Sequence, residues 1–366
     1  MLKDKTVAVV VPAYNEEKQI GLVIETMPEF VDRIIIVNDK SKDKTAEIVE
    51  KYINSVPKSA TIVERVENKI KRTKYNRAEV VLQEKISEEV QYFNPFEVVN
   101  DEPDCSRIIL INHTKNGGVG ASIATGYKWA KDHDIDCTAV MAGDGQMDPE
   151  ELESICKPVV DDGVDYVKGN RLIHRSALLV IPKVRYIGNS VLSILTKIAS
   201  GYWHVSDTQT GYTAISNSAL NAIRLHEIYP RYGMPNDLLV KLNIAFCTIK
   251  EVEIKPVYDV GENSKMKITK DIPTISMLLM KNFFKRLWAK YLFRDFHPLF
   301  LLYHLAMMLF IISVPLGVEM LYAFFRQGAM ITSQALIIFI FLLISGFQSL
   351  LFAMWMDIQD NERLYK

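Results

Sequence analysis

The chain is poor in the residues that staple or metallate a fold. Its four cysteines, Cys105, Cys137, Cys156 and Cys247, are widely spaced and form no C-x-x-C pair. That excludes a cysteine-built zinc site and a disulfide framework, and fits reduced thiols facing the cytosol. Charge of one sign is also missing: 43 Lys+Arg against 44 Asp+Glu leave a formal net charge of -1 over 366 residues. No global field therefore favours nucleic acid, and any charge argument must be local. The opening MLKDKTVAVVVPAYNEE reaches polar residues too soon for a secretory signal and has no small-residue cleavage pattern, so its apolar run reads as a strand.

Long apolar runs, in contrast, are present in the last quarter. PLFLLYHLAMMLFIISVPLGVEMLYAFF runs from Pro298 to Phe325, and MITSQALIIFIFLLISGFQSLLFAMWM from Met330 to Met356. Each exceeds the roughly 20 residues that cross a bilayer core. With the short connector Arg326-Gln327-Gly328-Ala329 they predict a transmembrane hairpin. The preceding segment, residues 271–297, interleaves Lys281, Lys285, Arg286, Lys290 and Arg294 with Phe, Leu, Trp and Tyr. That pattern predicts an interfacial amphipathic helix, which the positive-inside rule places on the cytoplasmic side together with the tail, residues 357–366.

Residues 1–270 alternate strands with helices. Thr6–Val11, Arg33–Val37, Ile108–Ile111 and Thr138–Met141 are apolar runs of the buried parallel type, each followed by turn residues and a helical pattern. Ser41, Asp43 and Thr45 read as helix-starting residues. The spacing predicts a doubly wound α/β sheet, in which ligands sit beyond the carboxyl ends of the strands. Asp39 and Asp144 both fall at strand exits. An insertion from about Val56 to Pro103 reads either as a helix with a strand or as an excursion without regular structure.

Six motifs then occur in order: PAYNE (Pro12–Glu16), VNDKSKDKT (Val37–Thr45), KNGGVGASIATG (Lys115–Gly126), AGDGQMDPEEL (Ala142–Leu152), GNR (Gly169–Arg171) and SDTQTGY (Ser206–Tyr212). Together they resemble family 2 inverting glycosyltransferases of GT-A fold, and within them the polyprenyl-phosphate hexose synthases of dolichyl-phosphate mannose synthase type. The resemblance covers roughly residues 5–270 and implies a GT-A (Rossmann-like) catalytic domain, a nucleotide-sugar donor, a polyprenyl phosphate acceptor and Mg2+ or Mn2+.

The resemblance also implies roles. Pro12, Tyr14 and Glu16 would form the turn holding base and ribose, Asp39 the carboxylate on the base, and Gly118, within Asn116–Gly120, a backbone able to approach the nucleotide. Asp144 and Gln146 offer hard oxygen donors to a divalent cation on the diphosphate. The family pattern often has a further acid where this chain has Ala142, so the metal would lean more on the diphosphate. Asp148 reads as the cap of the helix begun by Pro149. Arg171 would bind phosphate, with Arg175, Lys183 and Arg185 extending a basic entrance. Asp207 would position sugar or acceptor. Gln209 and Asp237 fall in acceptor-side motifs, and Ser264 and Lys265 in a diphosphate motif where Tyr258 replaces the family's arginine.

A phosphate monoester is already an anion at neutral pH and needs no protein base. A hydroxyl acceptor would need one, with Asp207 or Asp237 as the candidates. A processive polysaccharide synthase would carry a Gln-x-x-Arg-Trp motif, which is absent. A noncatalytic membrane scaffold would not need Asp144, Gln146 and the diphosphate residues together.

Overall fold

The computed structural model describes residues 1–56, 59, 61–65, 71–257, 268–325 and 332–366. Ser264, Lys265, Tyr258 and the hairpin connector lie outside the described residues. Among those described, eight strands form one sheet: β1 (Val7–Ala13), β2 (Arg33–Asn38), β3 (Phe96–Val98), β4 (Ile108–His113), β5 (Cys137–Val140), β6 (Tyr166–Asn170), β7 (Thr213–Ser216) and β8 (Ile249–Glu253). Their spatial order is β3-β4-β2-β1-β5-β7-β6-β8. β4, β2, β1 and β5 run parallel, as the apolar runs predicted. β7 lies antiparallel between β5 and β6, and β3 is an antiparallel edge on β4. The sheet is therefore mixed.

Twelve helices accompany it among the described residues: α1 (Ile20–Glu25), α2 (Thr45–Ser55), α3 (Arg77–Glu89), α4 (Val119–Asp132), α5 (Leu152–Asp162), α6 (Ala177–Val180), α7 (Lys183–Ser200), α8 (Asn217–Ala222), α9 (Met234–Ile244), α10 (Ile268–Trp288), α11 (Pro298–Phe325) and α12 (Ser333–Glu362). Alternate strand residues feed two cores. Val10, Ile35 and Ile109 pack under α4, α8 and α9, while Val9, Ile34 and Ile36 pack under α1, α2 and α5. This burial on both faces is why the strands read as continuous apolar runs. Of the two readings of the 56–103 insertion, the described part holds a helix, α3, and the edge strand β3.

α11 and α12, of 28 and 30 residues with mean hydropathies of 2.2 and 2.5, are long and apolar enough to cross a membrane. They pack on each other where glycines allow close approach: a Cβ on Gly317 or Gly346 would come within 3.1 Å of Phe339 or Phe310.

Part of the basic segment before them turns inward, while Lys281, Lys285, Trp288 and Phe293 stay exposed. Arg286 and Lys290 are fully buried. Arg286 donates to both oxygens of Asp357 at 2.7 Å and to the carbonyls of Ala199 and Ile198. Lys290 donates to Asn361 and Asn243. Burial pushes the Lys290 ammonium down to about 8, against the pull of Asp360. Arg294 is held by the Ile244 carbonyl and lies over the Phe246 ring. These cations fasten α10 and the segment that follows it to α7, to α9 and to the end of α12. The tail is likewise not free. α12 runs on to Glu362, and the backbones of Leu364 and Lys366 pair with Ile249 on β8.

Candidate active site

The carboxyl ends of β1, β2, β4 and β5 converge, and the loops leaving them interlock. Asn15, at φ 57°, donates its N–H to Ser41 and accepts from the Lys42 N–H, while the Glu16 N–H donates to Thr45. The PAYNE turn is thereby latched to the VNDKSKDKT loop, with Tyr14 and Glu16 half-buried at its rim.

Asp39 sits at the centre of this latch. Its Oδ1 accepts from His113 Nδ1 at 2.8 Å and from the Gly117 N–H at 2.7 Å; its Oδ2 accepts from the Gly118 N–H at 2.7 Å. Burial pushes its carboxyl up, but the His113 hydrogen bond and the two N–H groups outweigh that and hold it below the usual carboxylate value. Asp39 is thus a brace for the glycine loop as well as a group at a strand exit. His113, whose other nitrogen meets Thr125 Oγ1 at 3.0 Å, is a participant that the motif reading missed. A polar residue ending an apolar strand beside the glycine motif was its signal.

The glycines differ from expectation in what approaches them. A Cβ on Gly118 would fall 2.5 Å from the Pro230 carbonyl oxygen, and one on Gly120 2.1 Å from that of Tyr229. The close approach is to the 229–234 loop, which the Gly120 and Ala121 N–H groups bond through the Pro230 carbonyl. Gly118, at φ 93°, also needs glycine for its backbone.

Asp144 leaves β5 half-exposed beside the end of β1, where a Cβ on Gly143 would lie 3.1 Å from the Pro12 carbonyl. Its Oδ1 accepts the Gln146 N–H at 3.1 Å, a turn that orients the carboxylate. Asp148 caps the following turn through the Glu150 N–H at 3.0 Å, and Lys255 sits 3.2 Å from it. No group of three or more His, Cys, Asp or Glu side chains among the described residues could hold a metal. The donor set at Asp144 is all oxygen, which fits a hard cation shared with a diphosphate rather than one caged by protein.

Arg171 and Asp207 form a two-pronged pair, Nε to Oδ2 at 2.8 Å and Nη2 to Oδ1 at 3.1 Å. Asp207 is wholly buried and also accepts the N–H groups of Arg171, Gln209 and Thr210. Burial pushes its carboxyl up, but the guanidinium beside it brings it below the ordinary value. Its oxygens are turned to Arg171, whose side chain stays 23% exposed. Beneath the pair, Lys168 donates to the Thr210 carbonyl at 2.5 Å, and burial pushes its ammonium down to about 8. Glu251 ties the Ser206 and Asp207 N–H groups to Asn170.

Gln209 and Asp237 also turn inward. The Gln209 amide donates to Thr208 and to Asn236. Asp237 is buried and accepts from the Tyr229 N–H at 2.8 Å, from Asn282 on α10 at 2.9 Å, and from Lys241. Through Asn282 it ties α9 to α10. Arg175 and Lys183 are exposed and Arg185 half-buried. They flank a surface that the motif reading passed over: Leu178, Leu179 and Val180 of α6 and Ile187, Val191, Ile194 and Leu195 on one face of α7 are all exposed. Their spacing of three and four residues was the signal.

The glycosyl transferase family 2 profile matches residues 8–79 and 96–224. The chain belongs to that family. It is a glycosyltransferase with the GT-A-type mixed sheet that the motifs implied. Among curated relatives, UDP-N-acetylglucosamine–dolichyl-phosphate N-acetylglucosaminyltransferase of Methanococcus voltae is 29% identical over 70% of this chain and 88% of that one. Dolichyl-phosphate β-glucosyltransferase ALG5D of Trichomonas vaginalis is 24% identical over 77% of this chain and 74% of that one. Undecaprenyl-phosphate mannosyltransferase of Micrococcus luteus is 28% identical over 43% of this chain and 64% of that one.

Proposed function

We propose that this glycosyltransferase moves a sugar from a nucleotide sugar to a polyprenyl phosphate at the cytoplasmic face of a membrane. The observation that carries the reading is the state of the two acids a hydroxyl-directed enzyme would use as base. Asp207 and Asp237 are both buried, with their oxygens engaged inside the protein. A phosphate acceptor, anionic at neutral pH, needs neither. The three relatives named above differ in sugar yet all act on a polyprenyl phosphate.

A phosphate oxygen of the acceptor attacks the anomeric carbon as the bond to the nucleoside diphosphate breaks, and the diphosphate leaves with the electron pair, inverting the centre. The latch, braced by Asp39 and the glycine loop, presents Tyr14 and Glu16 to the nucleoside. Asp144, with Gln146, would hold a Mg2+ or Mn2+ ion, which would supply positive charge against the departing diphosphate. Arg171, fixed by Asp207, meets phosphate oxygens. Ser264 and Lys265 are further candidates for the diphosphate. The α11–α12 hairpin anchors the chain, and the apolar α6–α7 face with Arg175 and Lys183 beside it approaches the lipid surface.

The test offers purified full-length protein a panel of nucleotide sugars with polyprenyl phosphate or bare polyprenol and identifies the glycolipid by mass spectrometry. Transfer to the phosphate alone, lost in EDTA and in Asp144→Asn while the fold persists, is expected. Comparable transfer to the bare alcohol would overturn the phosphate reading, and full activity in EDTA would remove the metal.

A further inference from the structure

Between the glycine loop and the 206–213 loop lies a cavity of about 180 Å³. Its wall is mainly apolar: Val119 and Ile123 from the start of α4, Val140 from the end of β5, and Met234 and Pro235 from the start of α9. Polar groups reach it at Gln209, Thr210 and Thr213 and at the ring hydroxyls of Tyr166 and Tyr232. The cavity adjoins the reaction centre on two flanks. Val119 follows Gly118, whose N–H is bonded to Asp39. Gly211, another wall residue, would place a Cβ 3.4 Å from Met147, three residues beyond Asp144.

Such a wall suits neither a phosphate nor the hydroxyl-rich face of a plain hexose. A hydroxyl set against its apolar part, Val119, Ile123, Val140 and Met234, would lose water without gaining a partner. A small alkyl group fits it. The polar side is also fixed in sense. The Thr210 carbonyl accepts from Lys168, and the Gln209 amide donates to Thr208 and Asn236, which turns its carbonyl oxygen, bonded to no donor among the described residues, into the presented group. A carbonyl oxygen beside an apolar recess is complementary to an amide N–H whose acyl carbon bears a methyl group.

We infer that the cavity is the recess for an N-acyl substituent of the transferred sugar, so that the donor is a nucleotide-linked N-acylhexosamine. The inference rests on the glycosyltransfer reading above and narrows its donor. Val119, 37% exposed at the cavity's edge, is then a specificity-determining residue.

The experiment measures kcat/KM with polyprenyl phosphate and, in turn, UDP-N-acetylglucosamine, UDP-glucosamine, UDP-glucose and GDP-mannose. A recess that seats one alkyl group discriminates by about 10- to 100-fold. The N-acetyl donor is therefore expected to exceed the others by that factor, with the free amine no better than glucose. Val119→Phe, which fills the recess, should lower the ratio of kcat/KM for the N-acetyl donor to that for UDP-glucose at least about tenfold. Equal or better transfer from UDP-glucose or GDP-mannose overturns the recess while leaving the glycosyltransfer reading intact. A Val119→Phe loss shared equally by all donors in a folded protein also overturns it. Transfer from no donor at all sinks both.

Discussion

Asp207→Asn separates a positioning acid from a catalytic base. In the wild type five N–H groups converge on the carboxylate: Arg171 Nε at 2.8 Å, Arg171 Nη2 and its backbone N–H at 3.1 Å, Thr210 N–H at 3.2 Å and Gln209 N–H at 3.3 Å. Asparagine keeps one acceptor oxygen and turns an NH2 group toward donors, and it removes the negative charge from beside the Arg171 cation. Breaking one side of a fully buried pair costs about 3–5 kcal/mol. The Arg171 side chain is 23% exposed and recovers some hydration, which lowers the expected loss to about 2–3 kcal/mol. At about 2–4 °C per kcal/mol for a domain of this size, the melting midpoint should fall by about 4–12 °C. The assay pairs thermal unfolding of the full-length protein in detergent with initial rates taken well below both midpoints. An unchanged midpoint with a rate loss of about 10²- to 10⁴-fold is the signature of a missing base and would refute the positioning role. No change in either quantity would refute the energetic account of the pair.

Gly120→Ala should unfold or severely destabilise the glycine loop, because its Cβ would meet the Tyr229 carbonyl at 2.1 Å, whereas Gly188→Ala, with nothing within 4 Å, should be neutral or stabilise by up to about 1 kcal/mol; thermal melts of the two compare them. Asp357→Ala should cost about 3–5 kcal/mol by stranding buried Arg286, and limited proteolysis near α10 should accelerate, with an unchanged melt and cleavage pattern counting against the network. Asp39 has a folded carboxyl below its unfolded value, so its contribution is present above the unfolded pKa and is lost as pH falls through the folded one. Asp39→Asn should therefore flatten the acid limb of the stability profile, read by denaturant titration at successive pH values.

The sequence alone determined what depends on local pattern. Apolar runs such as VAVVVPA and RIIIVN placed the parallel strands, because a strand covered on both faces is apolar along most of its length. Acids at the strand ends placed Asp39 and Asp144 at the crevice, and run length marked α11 and α12. Where a pattern fits more than one environment, tertiary structure decided. A basic, aromatic helix looks the same whether it meets lipid headgroups or a carboxylate 71 residues away, and Arg286 takes the second course. An acid in a motif looks catalytic until its partners are seen: Asp207 and Asp237 are engaged by Arg171 and Asn282, 36 and 45 residues distant. The glycines of the 117–120 loop announce a close approach without naming what approaches, here the Pro230 and Tyr229 carbonyls. The antiparallel insertion of β7 and the recess beside Val119 belong to the same class. Each arises where segments far apart in the chain meet, and residue spacing along one segment carries no record of the groups another will bring to it.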